Sequence, residues 1–342
     1  MAYTTIDDPS QHFDILTRSG VYDSSGTYDL TGLNFQPDFV WEKVRSVSGD
    51  HYLQNSSLTG KKMLKSNSNA AENTDGNIES YLSNGIQINR QYDWNSSRTL
   101  VDWFWKANGG TTSSNSDGDI TATVQANTTA GFSIMTWTSN NADNQTIGHG
   151  LGAAPEVFWV KIRDATGSWY CYFKAAGATH YLVLNTDAAK VDNVIWGDTH
   201  PTSSVITVDT NSLSGSTPTV VTYAFKEIQG YSKFGSYVGN GNADGTFVYT
   251  GFRPAWILIK RADNTTSWRI IDSKRDTING CEARLFPDNT DAENTSAVVL
   301  DILSNGFKIK STNGGVNNTD SDYVYMAFAE HPFVSSKGVP VT

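Results

Sequence analysis

The sequence predicts an all-β protein: three tandem antiparallel β-sandwich-like modules with few or short helices. Three observations lead there. A proline followed by an apolar run and a lysine occurs three times, as Pro37 to Lys43, Pro155 to Lys161 and Pro254 to Lys260. Each run is followed at the same distance by a second ring, His51, Trp169 or Trp268, across a stretch of turn residues, which reads as a β-hairpin. Each module then closes on an aromatic run, ending at Trp105, Phe225 and Phe328. A unit near one hundred residues is too long for a solenoid and fits tandem small domains.

Composition agrees. The chain has 342 residues, 38% apolar and 18% charged. Asn, Ser, Thr and Gly fill the deficit, and these favour turns over helix interiors. The net charge of -10 leaves no basic stripe for phosphate, so nucleic acid is not an expected partner. No run of eighteen apolar residues predicts a membrane span, and the opening residues carry no secretion signal. Cys171 and Cys281 sit at different offsets in different modules, so no framework disulfide is expected.

In order, residues 1–19 form an N-terminal arm, read either as a strand completing the first module or as an anchor to a larger assembly. Module one spans 20–108. Its apolar run alternates, with Phe39 and Trp41 on one face and Val40 on the other, as in a strand buried on both sides. Ser83-Asn-Gly-Ile86 signals a tight turn and returns as Ser304-Asn-Gly-Phe307. Residues 109–130 are Ser, Thr, Asn and Gly almost throughout and read as a linker, with Ile120 to Val124 a short strand inside it. Module two spans 131–228, module three 229–333, and a tail 334–342 follows. Ala71-Glu-Asn73 matches Ala292-Glu-Asn294, with Asp187-Ala-Ala189 a weaker echo. Asp291-Ala-Glu-Asn294 is the candidate single helical turn. Module one departs from its siblings: Glu42 stands where they have Val160 and Ile259, and Gln54 and Asn55 make its second strand polar.

Several of these segments resemble a known family. Met1 to Ser10, Gly148 to Pro155, Gly230 to Tyr237, Val248 to Pro254 and Tyr325 to Phe333 resemble virion proteins of marine bacteriophages, of the cyanophage and SAR11-phage type. The resemblance covers nearly the whole chain. It implies a virion structural or tail-fibre protein with repeats of an uncharacterised domain, assembled in the bacterial cytoplasm and placed on the tail or capsid surface. It implies no catalytic residues and no cofactor. The expected function is attachment to host surface polysaccharide or envelope. Other virion proteins would hold the chain through its N-terminal arm, and a homo-oligomer, a trimer, is expected. The alternatives are a capsid decoration, head-fibre or tail adaptor protein, and a glycan-degrading enzyme.

Catalytic and metal motifs are not apparent in the residues. The histidines lack the spacing of a zinc helix, and no G-x-S-x-G elbow occurs. Asn115 to Asp119 is a poor calcium loop, with its glycine misplaced. The repeated lysines read as points where a buried strand emerges into water, their stems covering its end. The repeated rings read as core. Candidate ligand-binding residues therefore lie where the repeats differ: Tyr92 and Trp94 in Tyr92-Asp-Trp-Asn95, and Trp196 and His200 in Trp196-Gly-Asp-Thr-His200. An aromatic face can stack on a sugar while neighbouring Asn and Asp take its hydroxyls. Packing at a surface or interface is the competing role for each.

Overall fold

A computed structural model describes residues 3–213 and 217–340. It is all-β, built from antiparallel sheets. Each module contains the same four-stranded sheet. In module one the order is Phe13–Ser19, Thr99–Trp105, Phe39–Val44, His51–Asn55. In module two it is Phe132–Thr138, Thr219–Phe225, Val157–Ile162, Tyr170–Phe173. In module three it is Ser232–Val238, Asp322–Pro332, Phe252–Arg261, Arg269–Asp272. The predicted hairpin is the third and fourth strand of each sheet, with Lys43 opposite His51 and Ile259 opposite Arg269. A smaller sheet covers the outer face of each, so the units are two-layered.

The turn after Leu82 uses Ser83 and Asn84, and Gly85 is the first paired residue of the next strand. The glycine recurs for a steric reason. A Cβ on Gly85 would lie 2.0 Å from the Leu30 carbonyl oxygen, and one on Gly306 would lie 2.1 Å from that of Val248. The chain must pass close to a neighbouring strand at both places.

The alternation along each central strand feeds two cores. Phe39 and Trp41 face inward and Val40 faces the small outer sheet. Inward residues of all three modules meet in one aromatic cluster, including Trp41, Trp105, Trp159, Trp256, Trp268 and Phe328. Trp41 meets Trp159 edge-on at 5.8 Å, and Trp105 meets Trp256 edge-on at 5.5 Å. Such pairs add to the large apolar area that each ring buries. Tandem modules joined only by linkers would not share a centre in this way.

A ring of clasps holds the modules in cyclic order. Glu72 N–H of module one donates to the Arg163 carbonyl of module two at 2.6 Å. Lys190 N–H of module two donates to Ala262 of module three at 2.8 Å, and Glu293 N–H of module three donates to Arg45 of module one at 2.8 Å. A second bond accompanies each clasp, from Gly167 to Asn69, Thr266 to Asp187 and Gly49 to Thr290. The matched Ala-Glu-Asn segments are thus the clasps, and the ring closes on itself in an approximately threefold arrangement.

Three expectations need correction. The stretch 109–130 carries two strands, Ser113–Asn115 and Ala122–Asn127, which extend the sheet of module two. Its hydroxyl-rich residues fit an exposed edge rather than a free linker. Asp291 to Asn294 is not helical, because its backbone is spent on the clasp. The one α-helix among the described residues is Gly314–Asn317, capped by the Asn313 side chain. The repeated lysines do not emerge into water. Lys43, Lys161 and Lys260 are fully buried, and each amine donates to the carbonyl of the next residue, Val44, Ile162 or Arg261. The docked loop of the neighbouring module covers the strand end that sequence reading leaves open.

The arm resolves as a strand from Phe13 to Ser19, paired along the closing strand of module one. Before it, Thr4 and Ile6 are buried, and Ile6 enters the shared core. Both cysteines are free and buried. Among the described residues no helix is long and apolar enough to cross a membrane.

Candidate functional site

Structural equivalence makes the differences between modules measurable. Outside the central strand, modules two and three fill their outer layers with apolar side chains. Module two places Val160 opposite Thr222, and Trp137, two residues beyond the partner of Thr222 on the next strand, reaches back diagonally with its indole N–H donating to Thr222 Oγ1 at 3.0 Å. Module three places Tyr237, Ile259 and Tyr325 at the same register. Module one has Arg18, Glu42 and Asp102 there.

These charges form one buried network. Arg18 Nε donates to Asp102 at 2.8 Å, and one terminal nitrogen donates to Glu42 at 2.5 Å. The guanidinium also grips Asp93 with both terminal nitrogens, at 2.8 and 3.0 Å. Such a two-pronged grip fixes orientation as well as distance. Asn77 donates to Glu42 at 2.9 Å, and Gln54 accepts from the Asn77 backbone. The Arg18 side chain is 7% exposed and those of Asp93 and Asp102 are 0%. Burial raises Glu42 to about 8, against the opposing pull of Arg18. Three carboxyls around one cation is a costly substitute for a tryptophan or tyrosine.

The network orders a surface segment. Asp93 lies between Tyr92 and Trp94, so the grip of Arg18 fixes both aromatic residues. Asp93 also accepts from Val21 N–H at 2.8 Å, and Tyr22 N–H donates to the Trp94 carbonyl at 2.8 Å. Tyr22 is 51% exposed and Tyr92 41%. The Lys61 amine sits 5.5 Å from the Tyr92 ring centre. Trp94 lies over Gly49, where a Cβ would come within 2.9 Å of its ring. Two half-exposed tyrosines, a supported tryptophan and a lysine thus belong to one surface segment held by backbone and ionic bonds.

The second pair of predicted residues is divided. Trp196 is fully buried, packs against Phe158 at 4.7 Å and donates to the His180 carbonyl. Its ring belongs to the core of module two and has no face for a ligand. His200 is exposed, and its Nδ1 lies 2.6 Å from the Tyr172 hydroxyl. The structure brings Tyr92 and Trp94 together and places them in another module from Trp196 and His200.

Other clusters offer less chemistry. Asp119 spends one oxygen on Thr146, and Asn115 bonds Asp117. Among the described residues no group of three or more His, Cys, Asp or Glu side chains is arranged to hold a metal ion. Sequence reading singled out Glu42 and the segment around Asp93 but not Arg18, Asn77 or Asp102. The available signal was a lone aspartate inside Val101-Asp-Trp-Phe-Trp105, an apolar strand that should carry no charge.

No curated protein matches this sequence. A family model described as a domain of unknown function, DUF7483, matches residues 8–332, which spans all three modules. The chain belongs to that family.

Proposed function

We propose that this is a phage virion surface protein, a tail-fibre or receptor-binding subunit that attaches to host surface glycan or envelope by binding, without catalysis. The observation that carries the reading is the held surface segment of Tyr22, Tyr92 and Trp94. It occurs once, in the module that departs from the repeat, and a buried ionic network holds it where its siblings have ordinary core. Aromatic faces ordered in advance cost little entropy on binding and suit the C–H surfaces of sugars. The sequence resemblance to marine phage virion proteins supplies the biological setting. The arm would meet other virion proteins, and a homo-oligomer would multiply weak contacts.

The test is binding of the purified protein to host envelope and to a glycan array, with Tyr92→Ala beside the wild type. Binding by the wild type that falls at least tenfold in Tyr92→Ala with unchanged melting supports the reading. Absence of wild-type binding to both surfaces overturns it, and location in a virion reconstruction then separates a tail adaptor from a capsid decoration.

A further inference from the structure

The Arg18 network leaves two oxygens unaccounted for. Glu42 Oε1 and Asp102 Oδ1 are buried and have no hydrogen-bond partner. Glu42 and Asp102 are direct cross-strand partners. Their remaining oxygens are already used, by Arg18 and Asn77 on Glu42 and by Arg18 on Asp102. Two ionised carboxylates can only accept, so neither could satisfy the other. A single proton between them satisfies both and leaves two negative charges facing one guanidinium. Like charges in such contact do not both ionise readily.

We propose that Glu42 and Asp102 share one proton, and that this proton locks the Tyr92–Trp94 face in place. Losing it adds a third negative charge to the cluster around Arg18. Arg18 is then drawn toward Glu42 and Asp102, and its two-pronged hold on Asp93 is the bond that yields. The face loosens as pH rises.

Among the described residues, the nearest other cation on the held segment, Lys61 over the Tyr92 ring, is paired with Glu79 at 2.7 Å. From the adjacent strand, Tyr52 stands opposite Glu42, and its hydroxyl is held up to about 12 by burial and then by the Glu42 charge. Lys65 lies over the outer side of that ring and pairs with Asp50. Gln54 and Asn77 are neutral, and Asp93 and Asp75 are further acids on this side. Burial raises Glu42 to about 8 and pushes Asp102 up as well, in keeping with the geometry.

The use of this lock in recognition rests on the attachment reading above; the lock itself does not, and its test needs no ligand. Amide hydrogen exchange of Val21 and Tyr22 is followed from pH 6 to 10 in the whole protein, after correction for the intrinsic pH dependence. Both amides depend on the held segment, through Asp93 and the Trp94 carbonyl. Protection is expected to fall roughly tenfold per pH unit above about 8. Glu42→Gln, which supplies a permanent donor to Asp102, is expected to keep protection flat. Equal pH dependence in wild type and variant, or a flat wild type, overturns the proposal. Should Glu42→Gln not fold, the carbon-13 shifts of the two side-chain carboxyls in the wild type decide. A pair that has lost both protons by pH 7 refutes the shared proton, and one that retains a proton above pH 7 supports it.

Discussion

Replacing Lys260 by methionine tests the sign of the buried lysines. The amine of Lys260 is out of contact with water and donates to the carbonyls of Arg261 and Asn264. Burial lowers it from 10.5 to about 8, against the attraction of Asp288 and of Asp187 from the neighbouring module. The folded protein therefore releases this proton at a lower pH than the unfolded chain does. Below pH 8 both states are charged, and the fold bears the full cost of the buried ammonium. Between pH 8 and 10 the unfolded chain holds more protons, so stability rises with pH. At ~1.4 kcal/mol per pH unit, one lysine contributes about 2–3 kcal/mol of gain across that window. Lys260→Met keeps the length of the stem and removes the titration. Guanidinium unfolding at pH 7 and pH 10 is the assay. The variant is expected to equal or exceed the wild type at pH 7 and to lose about 2 kcal/mol of the pH-dependent gain. Glu42 works in the opposite sense, eroding stability from its ordinary pKa near 4.5 up to about 8, but it does so equally in wild type and variant and cancels in their difference. An unchanged gain in Lys260→Met, or a variant more than about 2 kcal/mol less stable at pH 7, would refute the reasoning.

Three further outcomes follow from the same geometry. Glu293→Ala removes the carboxylate that Arg45 and the fully buried Arg275 share; Arg275 keeps Asp272 and the Ile270 carbonyl, so urea unfolding should report a loss of about 1.5–3 kcal/mol, that of a charged hydrogen bond. Trp196→Ala should cost about 3–5 kcal/mol in the same assay, as a fully buried indole in the core of module two. Gly49→Ala brings a Cβ within 2.6 Å of the buried Val44 and 2.9 Å of the Trp94 ring; limited proteolysis between residues 90 and 98 should quicken, and the melting temperature should fall because Val44 must also shift.

The repeat, the hairpins and the two-faced burial of the central strands are legible in the residues alone. Those depend on local periodicity and turn chemistry, which neighbouring residues carry. The sequence also directed attention to the places where repeats differ, and Glu42 and Tyr92-Asp-Trp94 proved to belong to one network. Only the tertiary structure decided how the modules meet. A tryptophan that faces a partner module reads in sequence like one that faces its own sheet, because both are simply apolar. Hence Trp41 and Trp159 could be assigned to cores but not to a common one. The lysines read as exposed for the same reason: the loop that covers each strand end belongs to another module, far along the chain. Trp196 and Tyr92 sit in equally polar stretches, yet one is sealed by Phe158 and Tyr172 and the other stands at the surface. That choice follows from which strands lie behind each segment, and the residues on either side of it do not specify this.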